Sequence, residues 1–298
     1  MNKLIGILIF IGLFTPAAFG QNLDLLKIEY SYIPYSQYKN SPNSPLNNIE
    51  TQVRKLSVSL SFPIRINSSK TYLINSFSGQ MLNFGIKNIP AQFTYVEPDR
   101  LYLISYSLSF LHYFNRTWSM ILSLKPVLAS DLNNVKNDHY KLQGESLFGY
   151  NINKFTQVGF GASYNADFGK YQFLPLFKLM YYDSEKFMIN AIIPQSFNIS
   201  YFLKDAFQLG FAGSVEGNNY RIGDSNSPIK NSSLKFSNLV VGPFFKINIS
   251  NNLYLRFDSG IVFNRIYENY NSVNNNIRQV DLKNNYFVNG IISVSIDK

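Results

Sequence analysis

The sequence predicts an all-β protein, a closed antiparallel up-and-down transmembrane β-barrel of about fourteen strands, with twelve as the alternative count. Three observations lead to this prediction. Apolar and polar residues alternate along recurring segments of roughly ten residues. The chain contains 26 Phe and 21 Tyr, yet only 15% of its residues are charged, compared with about a quarter in ordinary soluble domains. Beyond the N-terminal segment, no apolar run approaches the ~18 residues of a membrane-spanning helix.

Residues 1–20 have the layout of a secretory signal peptide. Lys3 supplies a positive charge, residues 4–14 are apolar, and Ala18 and Gly20 are small residues placed before a cleavage point. The apolar stretch is shorter than the ~20 residues that a helix needs to span a bilayer, so we expect cleavage after Gly20. The remaining residues, 21–298, are then one barrel domain.

Composition limits the function classes that the chain can belong to. It has no cysteine, so disulfides cannot stabilise it. Its net charge of +9 is spread thinly and forms no basic block, which gives no support for nucleic-acid binding. A cationic exported protein can instead contact anionic head groups, and we expect outer-membrane lipids and lipopolysaccharide as its surroundings.

The alternation is clearest in residues 55–62, where Leu56, Val58 and Leu60 share one face and serines share the other. Four further segments, at 102–110, 157–166, 253–264 and 286–296, have the same pattern. The predicted strands are 24–34, 51–65, 71–84, 100–114, 117–130, 139–151, 156–168, 172–182, 186–193, 196–203, 206–220, 234–249, 252–265 and 281–296.

Charged residues test the assignment of faces, because Lys or Arg facing lipid at mid-bilayer costs about 2–4 kcal/mol. Arg54 alone falls on the side of its strand's alternation that faces lipid. It lies at a strand end, from which its side chain can reach the head groups. Twelve charged residues have the opposite parity: Lys27, Glu29, Lys55, Lys125, Lys141, Glu145, Asp167, Lys178, Glu216, Lys246, Arg256 and Asp258.

The lengths of the connections give the orientation. Those at 35–50, 85–99, 131–138, 221–233 and 266–280 are the longer ones and fall on one side, which we expect to be the outside. The short connections fall on the other, periplasmic side. The strand count depends on Ile193-Pro194-Gln195, which we interpret as a tight hairpin because proline cannot donate to a sheet ladder. If that segment is not a hairpin, the count becomes twelve.

The chain resembles a group of Gram-negative outer-membrane barrel proteins known only as domains of unknown function. The likeness is carried by Ala18-Phe19-Gly20-Gln21, by the Ser-alternating strands rich in Tyr and Phe, and by Ile193-Pro194 ahead of Asn198-Ile199-Ser200-Tyr201. The resemblance implies a barrel in the outer membrane, inserted by the barrel-assembly machinery. It brings no functional residues. Such barrels often end on an aromatic residue, whereas this chain ends Ile296-Asp297-Lys298.

The sequence contains no convincing catalytic set, cofactor site or metal site. The two histidines, His112 and His139, lie on different segments and have no partner at metal-ligand spacing. A lipase is the enzyme alternative. His112, however, lies between two phenylalanines near a predicted periplasmic turn, which is typical of an interfacial side chain. His139 begins a strand that also carries Ser146, but this pair does not provide a nucleophile, a base and a residue that orients the base.

We therefore expect a non-enzymatic outer-membrane barrel that acts as a small-solute channel or transporter. The alternatives are a lipid-acting enzyme and a structural or surface-binding barrel. Inward charges either pair and fill a closed interior or line a channel with slight anion preference. The candidate lumen-lining residues are Lys55, Lys125, Lys178, Lys246, Arg256, Asp258 and Glu145.

Overall fold

The computed structural model describes residues 23–39, 48–67, 70–88, 99–183, 186–204, 206–223, 232–250, 252–270 and 276–296. The predicted signal peptide lies outside these residues. Within the described part of the chain, no helix has both the length and the apolar character needed to cross a membrane. The strands are β1 (Leu23–Lys39), β2 (Glu50–Asn67), β3 (Thr71–Lys87), β4 (Arg100–Tyr113), β5 (Trp118–Ser130), β6 (Tyr140–Asn151), β7 (Thr156–Asn165), β8 (Gln172–Tyr182), β9 (Phe187–Ile193), β10 (Ser196–Lys204), β11 (Phe207–Arg221), β12 (Ser233–Ser250), β13 (Leu253–Tyr270), β14 (Asn276–Leu282) and β15 (Asn285–Ile296).

The strands form one closed antiparallel barrel with fourteen strand places. Each of β1 to β13 pairs with the next strand in the chain. Both β14 and β15 pair with β13 on one side and with β1 on the other, so they share one place and close the barrel. The predicted count of fourteen is therefore confirmed. The last predicted strand, 281–296, was incomplete, because its place begins at Asn276 and is interrupted after Leu282.

Side chains span the interruption between β14 and β15. Arg265, which is 2% exposed, donates to the Lys283 carbonyl at 3.2 Å and to the Ser36 hydroxyl. Asn285 Nδ2 donates to the Pro34 carbonyl at 3.0 Å. These bonds replace ladder hydrogen bonds that the interrupted strand does not supply.

The hairpin between β9 and β10 is as tight as predicted. The Ile193–Pro194 peptide bond is cis, and the Gln195 N–H donates to the Ile192 carbonyl at 2.8 Å. Ser196 then pairs directly with Ile192. This hairpin decides between fourteen and twelve strands.

The two ends of the barrel differ, as the connection lengths predicted. At one end, called the turn end below, the chain crosses from strand to strand at 68–70, 114–117, 152–155, 183–186, 205–206 and 251–252. At the other, called the loop end, the connections are 40–49, 88–99, 131–139, 166–171, 194–195, 222–232 and 271–275. The longer predicted connections all lie at the loop end.

The outward faces of the strands form an apolar belt, which confirms the predicted alternation. Leu56 and Val58 are each 39% exposed, whereas Lys55, which precedes Leu56 and lies on the opposite face of the strand, is 9% exposed. Strands β4, β7, β13 and β15 continue the belt. Its members include Leu60, Phe62, Phe77, Ile104, Leu108, Phe160, Phe177, Phe211, Phe257, Ile261, Tyr286 and Ile292.

Strands β6 to β10 are shorter at the loop end than the rest of the wall. The pairing between β10 and β11 stops at Ser214 of β11, and residues 215–221 of β11 extend beyond the end of β10. Arg221, at the end of β11, instead forms a parallel bridge with Ser130, at the end of β5. Near the loop end the wall therefore closes through nine places, from β11 through β12, β13, β14, and β1 to β5.

Candidate functional site: the barrel lumen

The narrow part of the barrel contains a closed apolar core. Each of its nine strand places contributes at least one inward side chain, and these side chains are between 0% and 9% exposed. Among the residues that the structure describes, such packing leaves no water-filled path, so they shut the lumen at the loop end. The apolar core consists of Ile33, Val53, Leu82, Phe84, Leu101, Leu103, Val127, Ala129, Tyr220, Ile222, Leu234, Phe236, Val262, Tyr267 and Phe287.

Aromatic contacts join opposite walls within this core. The Phe84 ring, on β3, lies 5.7 Å from the Phe236 ring on β12 and 5.7 Å from the Tyr267 ring on β13. Both pairs are edge-to-face, an arrangement that aromatic rings favour. Strands β3 and β12 are not neighbours in the sheet, so these rings meet across the lumen.

An ion network crosses the lumen beside the apolar core. Lys55 Nζ, on β2, lies 2.8 Å from a Glu29 carboxylate oxygen on β1 and 2.7 Å from a Glu216 oxygen on β11. Lys27 Nζ lies 2.8 Å from the other Glu29 oxygen. Because β2 and β11 are not adjacent, the Lys55–Glu216 pair is a second connection between opposite walls.

A second charged group lies along the wall formed by β5 to β9. Glu145 interacts electrostatically with Lys125 and Lys178, and it lies close to the Gln195 side chain. Gln195 Nε2 also donates to the Ser163 hydroxyl at 3.2 Å. The β9–β10 hairpin is thereby tied to the inner face of the barrel.

A third charged group lies on β12 and β13. Arg256 Nε donates to Asp258 Oδ1 at 2.8 Å, and the guanidinium carbon lies 3.8 Å from the centre of the Phe244 ring. Lys246 Nζ lies 3.8 Å from the centre of the Tyr254 ring. Cations at such distances are attracted by the negative face of the ring.

All seven candidate lumen residues have inward parity, but the structure separates them into these three groups. Lys55 belongs to the first group; Glu145, Lys125 and Lys178 to the second; and Lys246, Arg256 and Asp258 to the third. Most contact an opposite charge or an aromatic ring, so they form no continuous cationic lining.

Serine hydroxyls occupy much of the inner face toward the turn end. Ser61 and Ser76 lie 3.0 Å apart, Ser109 and Ser123 lie 2.8 Å apart, and each pair joins neighbouring strands. Gln208 Nε2 donates to the Ser200 hydroxyl at 2.6 Å. This half of the lumen is more polar than the apolar core, although Tyr72, Leu111 and Leu147 also lie on its inner face.

The contact between β5 and β11 is short and is called the seam below. It joins residues 130–139 to residues 221–223. The Asp131 N–H donates to the Arg221 carbonyl at 3.3 Å, and the Gly223 N–H donates to the two Asp131 carboxylate oxygens at 3.1 and 3.2 Å. Arg221 Nε lies 3.3 Å from Asp138 Oδ2. A Cβ on Gly223 would lie 1.9 Å from the Asn133 carbonyl oxygen, so only glycine permits this approach.

His139 lies behind the seam, in a short 3-10 turn, Asn137–His139. Its ring is 4% exposed, and its Nδ1 lies 2.7 Å from the Ser130 hydroxyl oxygen. Burial lowers the pKa of His139, while nearby Asp138 and Asp131 act in the opposite direction. Arg221 and Lys136 also lower this pKa.

The Ser130–His139 pair is not arranged as a nucleophile and its base. Ser130 is fully buried, and its oxygen already accepts a hydrogen bond from the Leu132 N–H at 3.0 Å. No substrate can reach it, and the pair fixes the seam instead. Sequence reasoning missed the pair because it looked for a serine on the strand that follows His139. Across the residues that the structure describes, no group of three or more His, Cys, Asp or Glu is placed to hold a metal ion.

His112 lies on the outward face near the turn end. Its ring is 4.8 Å from the Phe114 ring, and its Nδ1 is 2.9 Å from the Thr71 hydroxyl oxygen. This placement agrees with the interfacial side chain expected from the sequence.

A family model described as Domain of unknown function (DUF6268) matches residues 17–297 of the chain. The chain belongs to this family. No curated protein matches the DUF6268 chain in sequence.

Several solved structures are similar to this DUF6268 chain in architecture. An outer membrane channel from Pseudomonas putida F1 is 8% identical, with a TM-score of 0.48 over 95% of this chain and 100% of that one. The toluene transporter TodX of Pseudomonas putida is 9% identical, with a TM-score of 0.37 over 92% of this chain and 89% of that one. A KdgM porin in complex with disordered oligogalacturonate is 10% identical, with a TM-score of 0.35 over 91% and 99%. Likenesses of this strength carry no information about substrates.

Proposed function

We propose that this protein is an outer-membrane channel for small polar solutes whose lumen is closed in the conformation described. One observation carries the proposal: a polar, charged half-lumen leads to a closure that is completed by the short seam between β5 and β11. Apart from the interruption between β14 and β15, the wall is elsewhere held by longer ladders. Strand β11, for example, pairs with β12 from Phe207 to Arg221.

The seam is the weakest part of the narrow barrel. Opening it breaks the bridge at Ser130 and the hydrogen bonds around Asp131, but leaves every neighbouring ladder intact. The cost of opening is dominated by exposure of the apolar core, at about 25 cal/mol per Å². The closed state is therefore favoured, and conduction requires an open state that is minor but still populated.

The outward apolar belt supports insertion in a bilayer, and the connection lengths support the orientation. Outer-membrane barrels have short turns in the periplasm and longer loops outside. The turn end then faces the periplasm and the seam lies toward the outside. A solute entering the open barrel would meet seven basic and five acidic inward residues, an excess that favours anions slightly.

A disulfide across the seam tests this proposal. The chain has no cysteine, so a variant with Ser130→Cys and Arg221→Cys contains only the introduced pair. In planar bilayers we expect brief openings of the reduced variant and none after oxidation. The control carries Ser109→Cys and Ser123→Cys, which face each other on β4 and β5, and its openings should not depend on oxidation.

Two results would overturn the proposal. If neither the folded wild-type protein nor the reduced variant conducts at any voltage, the result would favour a structural barrel. Equal conductance of the oxidised and reduced seam variant would show that solutes pass elsewhere.

A further inference from the structure

Three successive turns at the turn end carry exposed basic side chains. Lys70 lies on the β2–β3 turn, Arg116 on the β4–β5 turn and Lys154 on the β6–β7 turn. These three residues are called the basic row. The sequence places no Asp or Glu between residues 64 and 71, 114 and 117, or 152 and 155. Among the described residues, no carboxylate forms an ion pair with any of the three.

Backbone hydrogen bonds hold these turns side by side. The Tyr113 N–H donates to the Lys70 carbonyl at 2.8 Å. Asn151 donates through its backbone N–H to the Thr117 carbonyl and through Nδ2 to the Arg116 carbonyl, both at 2.8 Å. The basic row is therefore a fixed arc of positive charge.

Aromatic side chains mark the depth of this arc. Phe114 is 50% exposed, and the Trp118 and Tyr150 rings lie 4.8 Å apart on the outward face. Lys154 Nζ lies 4.6 Å from the centre of the Phe155 ring. Aromatic rings of this kind concentrate at the interface between hydrocarbon and head groups. The basic row lies just beyond them, at the level of lipid phosphates.

The later turns differ. The β8–β9 turn contains Asp183, whose carboxylate accepts hydrogen bonds from the Lys186 and Phe187 N–H groups at 2.8 and 2.9 Å. Positive charge without acidic neighbours is thus confined to the arc from β2 to β7.

We propose that the basic row binds the head groups of anionic phospholipids in the leaflet at the turn end. This inference rests on the membrane insertion in the proposed function but not on conduction. Each basic residue near an anionic surface contributes attraction equivalent to about a fivefold gain in binding. Three residues held in one arc should give a marked preference for anionic over zwitterionic lipid.

Native mass spectrometry of the folded barrel, titrated with phosphatidylglycerol or phosphatidylcholine, tests the inference. The wild type should bind phosphatidylglycerol at least tenfold more tightly. A variant with Lys70→Gln, Arg116→Gln and Lys154→Gln should lose at least about tenfold of that preference. The matched control neutralises three exposed basic residues at the loop end: Lys39→Gln, Lys87→Gln and Arg100→Gln.

Heat-modified gel mobility establishes that each variant is folded before it is titrated. The control should keep the lipid preference, and the basic-row variant should keep the conductance of the wild type. Equal binding of both lipids by the wild type, or an unchanged preference in the basic-row variant, would overturn the inference. An equal loss in the control would assign the preference to net charge, which would also overturn it. Failure of conduction in all variants would leave this readout unaffected.

Discussion

Asp131→Ala should open the seam. The Asp131 carboxylate accepts hydrogen bonds from the Gly223 N–H at 3.1 and 3.2 Å and from the Asn133 N–H at 3.1 Å. The Asn133 bond lies within one connection and can persist in the open state, so only the Gly223 interaction distinguishes the two states. A hydrogen bond to a charged group contributes about 1.5–3 kcal/mol. Its loss should raise the ratio of open to closed protein between about tenfold and about 150-fold.

Single-channel recording in planar bilayers measures this ratio as open probability. Asp138→Ala is the matched control, since it removes another carboxylate from the same connection. Asp138 pairs with Arg221 at 3.3 Å, and its side chain is 42% exposed. An exposed pair contributes at most about 1 kcal/mol, so the control should change open probability less than about fivefold. Equal effects of the two substitutions, or no effect of Asp131→Ala on a folded barrel, would refute the role assigned to the seam.

Three further predictions concern the core, the buried histidine and the ion network. Phe84→Ala should lower the free energy of unfolding in detergent by about 3–5 kcal/mol, because its ring is buried, whereas Phe160→Ala, on the outward face, should cost less. Closure lowers the pKa of His139, so the open state binds protons more tightly. The closed state keeps this stabilisation above about pH 6.5 and loses it as the pH falls below that value. Open probability should therefore rise between pH 7.5 and pH 5, and His139→Gln should remove that rise; a rise that persists in the variant would contradict the assignment. Lys55→Met leaves two carboxylates without their shared partner and should destabilise the barrel by about 3 kcal/mol, measured by urea unfolding, against less than 1 kcal/mol for Lys125→Met.

Most of the barrel could be predicted from the sequence, because a period of two in hydrophobicity assigns every residue of a strand to one face. Lys55 and Leu56 illustrate this, since one is buried inside and the other lies in the apolar belt. Pro194 also predicted the β9–β10 hairpin, because proline cannot donate to a sheet ladder. That hairpin gave the strand count.

A closed interior was one of the two alternatives that the sequence left open, but the apolar core that closes it was not predicted. The sequence did contain a signal for it: at Leu101-Tyr102-Leu103-Ile104 both faces of the strand are apolar, and Leu101 and Leu103 lie in the apolar core. Alternation was used only to find the outward face, so apolar residues on the inward face were overlooked. The seam could not be found in this way, because Ser130, His139 and Gly223 meet through connections that have no periodicity.

The short β9–β10 hairpin has a consequence for the surrounding lipid. Strand β9 has 7 residues, whereas a barrel strand needs about 9–11 to cross a bilayer. At about 3.3 Å per residue and a tilt near 40°, it covers about 18 Å of a hydrocarbon layer that is about 25 Å thick in outer membranes. Acyl chains beside this hairpin must shorten or tilt to match it, at a cost of a fraction of a kcal/mol per Å. The barrel should therefore thin the bilayer on one side only, and bilayers of shorter-chain lipids should accept it more readily.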